Sequence, residues 1–135
     1  ICTLLKSLHQ KDCEYYMKHE ITQTQSYFKK GSATLCILAL LRQKRMYGYE
    51  LTQALISISE GKFVLPEGTL YPILYRLEDY GYLIPHREPA GRRMTRVYYT
   101  LSAAGEAYYA QLLEDYTSIH AGVEKILSCK LEDDA

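Results

Sequence analysis

A chain of 135 residues, 47% hydrophobic and 24% charged, has material for one modest core. That composition is ordinary for a globular protein, and the length fits one modest domain. The 16 Lys and Arg balance the 16 Asp and Glu, so total charge excludes neither nucleic acid nor any other partner.

The distribution of charge says more. Residues 1–100 hold 14 basic against 9 acidic side chains, and residues 101–135 hold 2 against 7. This asymmetry fits a basic binding face with an acidic segment elsewhere; it fits an acidic, solvated C-terminal helix equally well. No run approaches the ~20 apolar residues of a membrane-crossing helix, and the N-terminus lacks a signal-peptide core. A cytoplasmic protein is therefore expected. Cys2, Cys13, Cys36 and Cys129 are widely spaced, with no CxxC and no nearby His pair, so neither a metal site nor a cofactor is expected. The chain begins with Ile1, and Met17 is a candidate start, which would make residues 1–16 an extension or a remnant.

Residues 1–24 are polar and carry few signals beyond a short helix around Thr3–Leu8. From Gln25 to Leu41 the pattern turns helical: Phe28, Leu35, Leu38 and Leu41 recur at helical spacing, and the segment ends apolar almost all round. Residues 42–48 form a basic break. A second helix is predicted over residues 49–59, with Leu51, Leu55 and Ile58 inward and Gly61 as a left-handed cap. Pro66 and Glu67 open a third helix, since proline suits the first turn and an acid suits the positive end of the helix dipole. Leu70, Leu74 and Leu77 line its buried side; Thr69, Tyr71, Pro72, Tyr75, Arg76 and Asp79 fall away from it. Gly81 stops it. Residues 82–87 and 96–101 read as two strands around a Pro- and Gly-containing turn with a basic tip, a β-hairpin. Ser102 is a natural N-cap for a long helix over residues 103–129. Tyr109, Leu112, Leu113, Tyr116, Ile119, Val123, Ile126 and Leu127 repeat along it at the three-four spacing of a helix that packs on another helix.

Three helices, a hairpin and a long helix make a mainly α (α+β) winged helix-turn-helix with a C-terminal dimerisation helix. Four segments are expected: 1–24 as an N-terminal extension, 25–101 as a winged helix-turn-helix DNA-binding domain, 102–130 as the dimerisation helix and 131–135 as an acidic tail. The third helix is sized for the major groove, and a basic hairpin tip suits the backbone or the adjacent minor groove. Thr69, Tyr71, Tyr75 and Arg76 offer hydrogen bonds, flat rings and a cation to that groove. Arg92, Arg93 and Arg96 crowd one short loop and its exit, a repulsive arrangement that an anion would offset. Each reading has a plainer rival. Tyr71 could pack on a neighbouring turn, Tyr49 divides between packing and phosphate, and Lys44 and Arg45 read as a solvated turn. A helix of 27 residues exceeds what the preceding core needs, so its apolar stripe reads as a dimer seam. Leu112, Leu113, Tyr116, Ile119, Val123, Ile126 and Leu127 are its candidate contacts. His9, His19, His86 and His120 are scattered, and no nucleophile–base pair or phosphate loop suggests an enzyme.

Three blocks resemble PadR-type transcriptional regulators: Met46-Tyr47-Gly48-Tyr49-Glu50-Leu51; Glu67-Gly68-Thr69-Leu70-Tyr71-Pro72-Ile73-Leu74-Tyr75-Arg76-Leu77-Glu78; and Gly91-Arg92-Arg93 through Tyr98-Tyr99-Thr100-Leu101-Ser102-Ala103-Ala104-Gly105. The resemblance spans about residues 28–127, and its single helix after the hairpin is similar to the compact subfamily. It implies a bacterial homodimer whose C-terminal helix packs on the partner, partly on the partner's N-terminal helix. It also implies repression at an inverted-repeat operator in double-stranded DNA, relieved by a small aromatic or hydrophobic effector. The DNA-binding set it suggests is Tyr49, Gly68, Thr69, Tyr71, Pro72, Tyr75, Arg76, Arg92, Arg93 and Arg96, in a cytoplasmic, nucleoid-associated protein. Two departures leave base preference open: Tyr47 replaces the usual histidine, and Pro66-Glu67 replaces Ser-Pro, removing a hydroxyl cap. The alternative is a winged-helix protein-interaction module without DNA binding. Tyr108, Tyr109, Tyr116, Tyr15, Tyr16 and Tyr27 are candidates for an aromatic effector pocket at a dimer interface, though ordinary packing accounts for them as well.

Overall fold

The computed structural model describes residues 23–133. The helix expected around Thr3–Leu8, together with Cys2, Cys13, Tyr15, Tyr16 and Met17, lies outside the described residues. The chain divides after Ala33 into two compact units. Of the first, the described part is the opening of helix α1 (Gln23–Gln43), where the Ser32 hydroxyl donates to the Phe28 carbonyl. Phe28, expected on the buried stripe, is 76% exposed.

The second unit holds the rest of α1, β1 (Met46–Tyr47), α2 (Gly48–Ile58), α3 (Glu67–Asp79), β2 (Leu83–Pro89), β3 (Thr95–Leu101) and α4 (Ala103–Ser128). Its core is aliphatic apart from one tyrosine: Ile37, Leu38 and Leu41 from α1, Leu51 and Leu55 from α2, Leu65 from the link, Leu70, Leu74 and Leu77 from α3, and Leu83 and Tyr99 from the sheet. In α2 and α3 the leucines follow the 3.6-residue period, so these helices bury one face and leave the other wet, whereas no residue of α1 from Thr34 to Leu41 is fully exposed. Ile58 breaks the expected stripe of α2. It sits in the last turn and is exposed.

The sheet has three antiparallel strands in the order β1-β3-β2. The hairpin pairs Leu83 with Leu101 at its base and Pro89 with Thr95 near its tip, one or two residues longer than the sequence pattern suggests. Ala90 N–H closes the tip on the Met94 carbonyl at 2.7 Å, and Gly91 supplies a φ of 83°. The third strand corrects an expectation. Residues 42–48 are not simply a polar break, because Met46 and Tyr47 pair with Tyr99 and Tyr98.

Helix ends account for much of the geometry. At the end of α2 the amides of Glu60 and Gly61 donate to the carbonyls of Ser57 and Ile56. This is a Schellman closure, and its left-handed C′ position belongs to Glu60, at φ 55°, with Gly61 following at φ 80°. The cap expected at Gly61 is thus shared with a residue that carries a side chain. The end of α3 is closed the same way, with Gly81 at the left-handed position and Tyr82 N–H bonded to the Leu77 carbonyl. Pro66 is the N-cap of α3, and its carbonyl accepts from Thr69 and Leu70.

The start of α4 is fastened to that corner. Ser102 Oγ accepts from Gly105 N–H at 3.0 Å and donates to the Gly81 carbonyl, while Ser102 N–H donates to the Tyr82 carbonyl. Gly105 lies so close to the Tyr82 backbone that a Cβ would come within 2.1 Å of its oxygen. The Tyr82 and Tyr108 rings stack at 4.3 Å. Beyond this anchor α4 runs largely exposed to Ser128, and residues 129–133 have no regular structure. None of the helices among the described residues is long and apolar enough to cross a membrane.

Candidate nucleic-acid interface

Helix α3 turns its leucines inward and leaves Gly68, Thr69, Pro72, Tyr75 and Arg76 exposed along one side. Pro72 has no N–H, so the Gly68 carbonyl one turn back receives no helical bond and is left as an acceptor in the first turn. Space around Gly68 is open: a Cβ there would meet nothing within 4 Å. Folding therefore does not require glycine at this position.

Tyr71 is placed differently from its neighbours. It is half-buried, and its ring lies against Gly48 so closely that a Cβ on Gly48 would come 2.5 Å from the phenol oxygen. Burial, then Glu67 and Tyr75, raises the Tyr71 phenol above its ordinary pKa. Packing is thus a real part of its role, and only part of the ring remains for a ligand. Tyr75, 6.0 Å from Tyr71 between centroids, is 54% exposed. Tyr49, in the first turn of α2, is equally open.

Cations brace the outer half of the hairpin. Arg45 bonds Glu88 at 2.6 Å and lies over the Tyr98 ring, so it is a tie between β1 and β2 rather than a merely solvated turn. Arg96 lies over Tyr47 at 4.6 Å. The residue standing where a histidine is usual thus serves as a platform for one of the expected DNA contacts. At the tip Arg92 and Arg93 are exposed, and among the described residues neither they nor Arg76, Arg87 and Arg96 form an ion pair with a carboxylate.

Between α3 and the hairpin lies a cleft of about 660 Å³. It brings together Tyr49, Tyr71, Tyr75 and Arg96 from the expected set; Gly68, Thr69, Pro72 and Arg76 continue along α3, and Arg92 and Arg93 stand at the tip. Tyr47, Glu78, Arg87, Met94 and Tyr99 also line it, and sequence reasoning missed them. Strand alternation could have found Arg87 and Tyr99. Tyr47 became visible only through the pairing of β1. No cluster of His, Cys, Asp and Glu suited to a metal occurs among the described residues. Cys36 is half-buried, and burial raises its thiol pKa, as for a packed rather than a reactive cysteine.

The family profile described as transcriptional regulator PadR-like matches residues 37–111. A PadR family transcriptional regulator from Eggerthella lenta superposes with a TM-score of 0.74 over 84% of this chain and 96% of its own; at 24% identity it speaks for the fold. A transcriptional regulator from Clostridium thermocellum is 29% identical, with a TM-score of 0.67 over 71% of this chain and 93% of that one. Bacillus subtilis PadR, solved in complex with operator DNA, is 25% identical, with a TM-score of 0.57 over 60% of this chain and 46% of its own. The architecture is mainly helical, with a three-stranded antiparallel wing and a C-terminal helix, as in these structures. The chain belongs to the transcriptional regulator PadR-like family.

Proposed function

We propose that the chain is a sequence-specific DNA-binding repressor that acts as a homodimer on an inverted-repeat operator and is released by a small aromatic or hydrophobic effector. The observation that carries the reading is the shared surface of α3 and the wing. The open first turn of α3, Tyr75, Arg76 and Tyr49 stand beside arginines that pair with no carboxylate among the described residues. Such a surface stores repulsion that a phosphate backbone relieves. Gly68, Thr69, Pro72, Tyr75 and Arg76 enter the major groove, and Arg92 and Arg93 follow the backbone or the minor groove. Tyr71 and Arg96 contribute through the surface that packing leaves them. Residues 25–101 are the reading domain and 102–130 the dimerisation helix.

The dimer reading rests on α4. Leu113, Tyr116, Ile119, Val123, Ile126 and Leu127 are all exposed on one helix, with Leu112 half-buried beside them. An apolar stripe of this length is costly to leave in water, and a second copy covers it. Operation in the cytoplasm, at the nucleoid, follows from the target.

Titration of duplex from the gene's own promoter region, at several salt concentrations, tests the reading. Affinity falls steeply with salt, and Arg93→Gln lowers the salt slope by roughly one unit. Tyr71→Ala harms specific binding more than non-specific binding. Sedimentation should show a dimer that Val123→Asp breaks. Absent or salt-insensitive binding by the folded protein refutes the DNA reading.

A further inference from the structure

We propose that Arg45 is a positioning residue for the wing: it engages the Glu88 carboxylate, keeps that carboxylate off Arg96, and so leaves Arg96 with its charge free for a phosphate. The phosphate contact rests on the DNA reading above; the exchange of partners does not.

Glu88 and Arg96 are direct cross-strand partners in the ladder of β2 and β3. Side chains so placed stand on one face with Cβ atoms about 5 Å apart, and opposite charges in that position normally pair. These two do not. Glu88 pairs with Arg45 instead, Oε1 to Nη1 at 2.6 Å. Arg45 precedes β1, and β3 lies between β1 and β2, so its side chain has to cross β3 to arrive there. It does so over the Tyr98 ring, 4.7 Å from the centroid. Arg96 lies over Tyr47 at 4.6 Å, and Tyr47 is itself set edge-on to Tyr98 at 5.4 Å. Two arginines therefore compete for Glu88, each seated on a tyrosine, and the carboxylate goes to the one that is not its ladder partner.

The consequence is electrostatic. An arginine forked to a carboxylate presents little net charge to a third group, whereas one stacked on a neutral ring keeps its charge and its N–H edge. Exposed ion pairs are weak, so small differences settle which arginine holds Glu88. Arg45 and Glu88 are both nearly half exposed, so their pair belongs to this weak class. Removing Arg45 leaves the carboxylate to Arg96. Arg45 thus acts on the duplex through Arg96, without a contact of its own.

The test uses the full chain and duplex from the gene's own promoter region, at about 0.15 M ionic strength, where exposed charges more than about 8 Å apart are largely screened. Arg45→Gln should weaken binding about fivefold, as expected for drawing Arg96 off an exposed carboxylate. Arg45→Gln with Glu88→Gln should return to within about twofold of the wild type, and in an Arg96→Gln background Arg45→Gln should change binding by less than about twofold. Arg45→Lys, which can still hold Glu88, should keep most of the affinity. A second readout needs no DNA. With ¹⁵N-arginine, the Arg96 Nε–H resonance, assigned by its loss in Arg96→Gln, should lie in the ring current of Tyr47. It should leave that position in Arg45→Gln and return when Glu88→Gln is added. Equal losses from Arg45→Gln with and without Arg96 would show Arg45 touching the duplex itself, and overturn the proposal. A double variant as weak as Arg45→Gln, or an Arg96 resonance unmoved in Arg45→Gln, overturns it too. If the folded wild type binds no duplex, the DNA reading falls, and the Arg96 resonance still decides the exchange of partners.

Discussion

Replacing Gly105 with alanine places a methyl group 2.1 Å from the Tyr82 carbonyl oxygen and 3.0 Å from its carbonyl carbon. The obstacle is backbone, so no rotamer change relieves it; the α4 start and the Tyr82 corner must separate by about 1 Å to restore ordinary contact. That movement strains the Ser102–Tyr82 and Ser102–Gly81 hydrogen bonds and the Tyr82–Tyr108 stack together. Overpacking costs about 1–3 kcal/mol and one weakened hydrogen bond about 1 kcal/mol. Alanine returns up to about 1 kcal/mol through its helix propensity. The net loss is about 2 kcal/mol, which for a chain of this size lowers Tm by roughly 8 °C. Thermal unfolding followed by circular dichroism, at one protein concentration, measures it. A Gly105→Ala protein that melts with or above the wild type would show that the corner yields freely and that the close approach carries no constraint.

Gly68→Ala is the counterpart in open space: it should leave Tm unchanged or slightly raised while weakening operator binding, and unchanged binding would remove Gly68 from the interface. Glu60→Gly relieves a left-handed side-chain position, worth about 1 kcal/mol in the fold less the entropy glycine adds to the unfolded chain; Tm should rise slightly, whereas Gly81→Ala should lower it. Burial first, then Glu78, Tyr75 and Tyr71, with Arg87 opposing, pushes the Tyr99 phenol up to about 12. The folded value lies above the ordinary 10.0, so the associated stability is complete below pH 10 and drains away as pH rises towards 12. Melts across that range should fall more steeply for the wild type than for Tyr99→Phe; parallel curves would contradict the assignment.

The leucine periods, the Ser102 cap and the two long strands were legible because each is written in neighbouring residues. β1 was not. Two residues carry no period, and their pairing is decided by Tyr98 and Tyr99, some fifty positions away. Helical spacing put Tyr71 on the outer side of α3 but could not say that Gly48 would stand opposite it. The same limit hid Arg45, whose partner Glu88 is on another strand. Ile58 failed for the reverse reason: a periodic pattern continues past the point where there is a core to meet it. Of the candidate interface, the exposure of the α3 residues and of the wing arginines could be read from the sequence, whereas the cleft between them exists only once β1 draws Tyr47 and Tyr49 to the wing.

The corner joining Gly81, Tyr82, Ser102 and Gly105 has a bearing on how operators are chosen. It fixes the direction in which α4 leaves each subunit before any second subunit is met. In a dimer held through α4, the distance between the two α3 helices would therefore depend on a joint formed within each subunit. Relatives that differ only at this joint would prefer operators whose halves are set nearer or farther apart while reading the same bases.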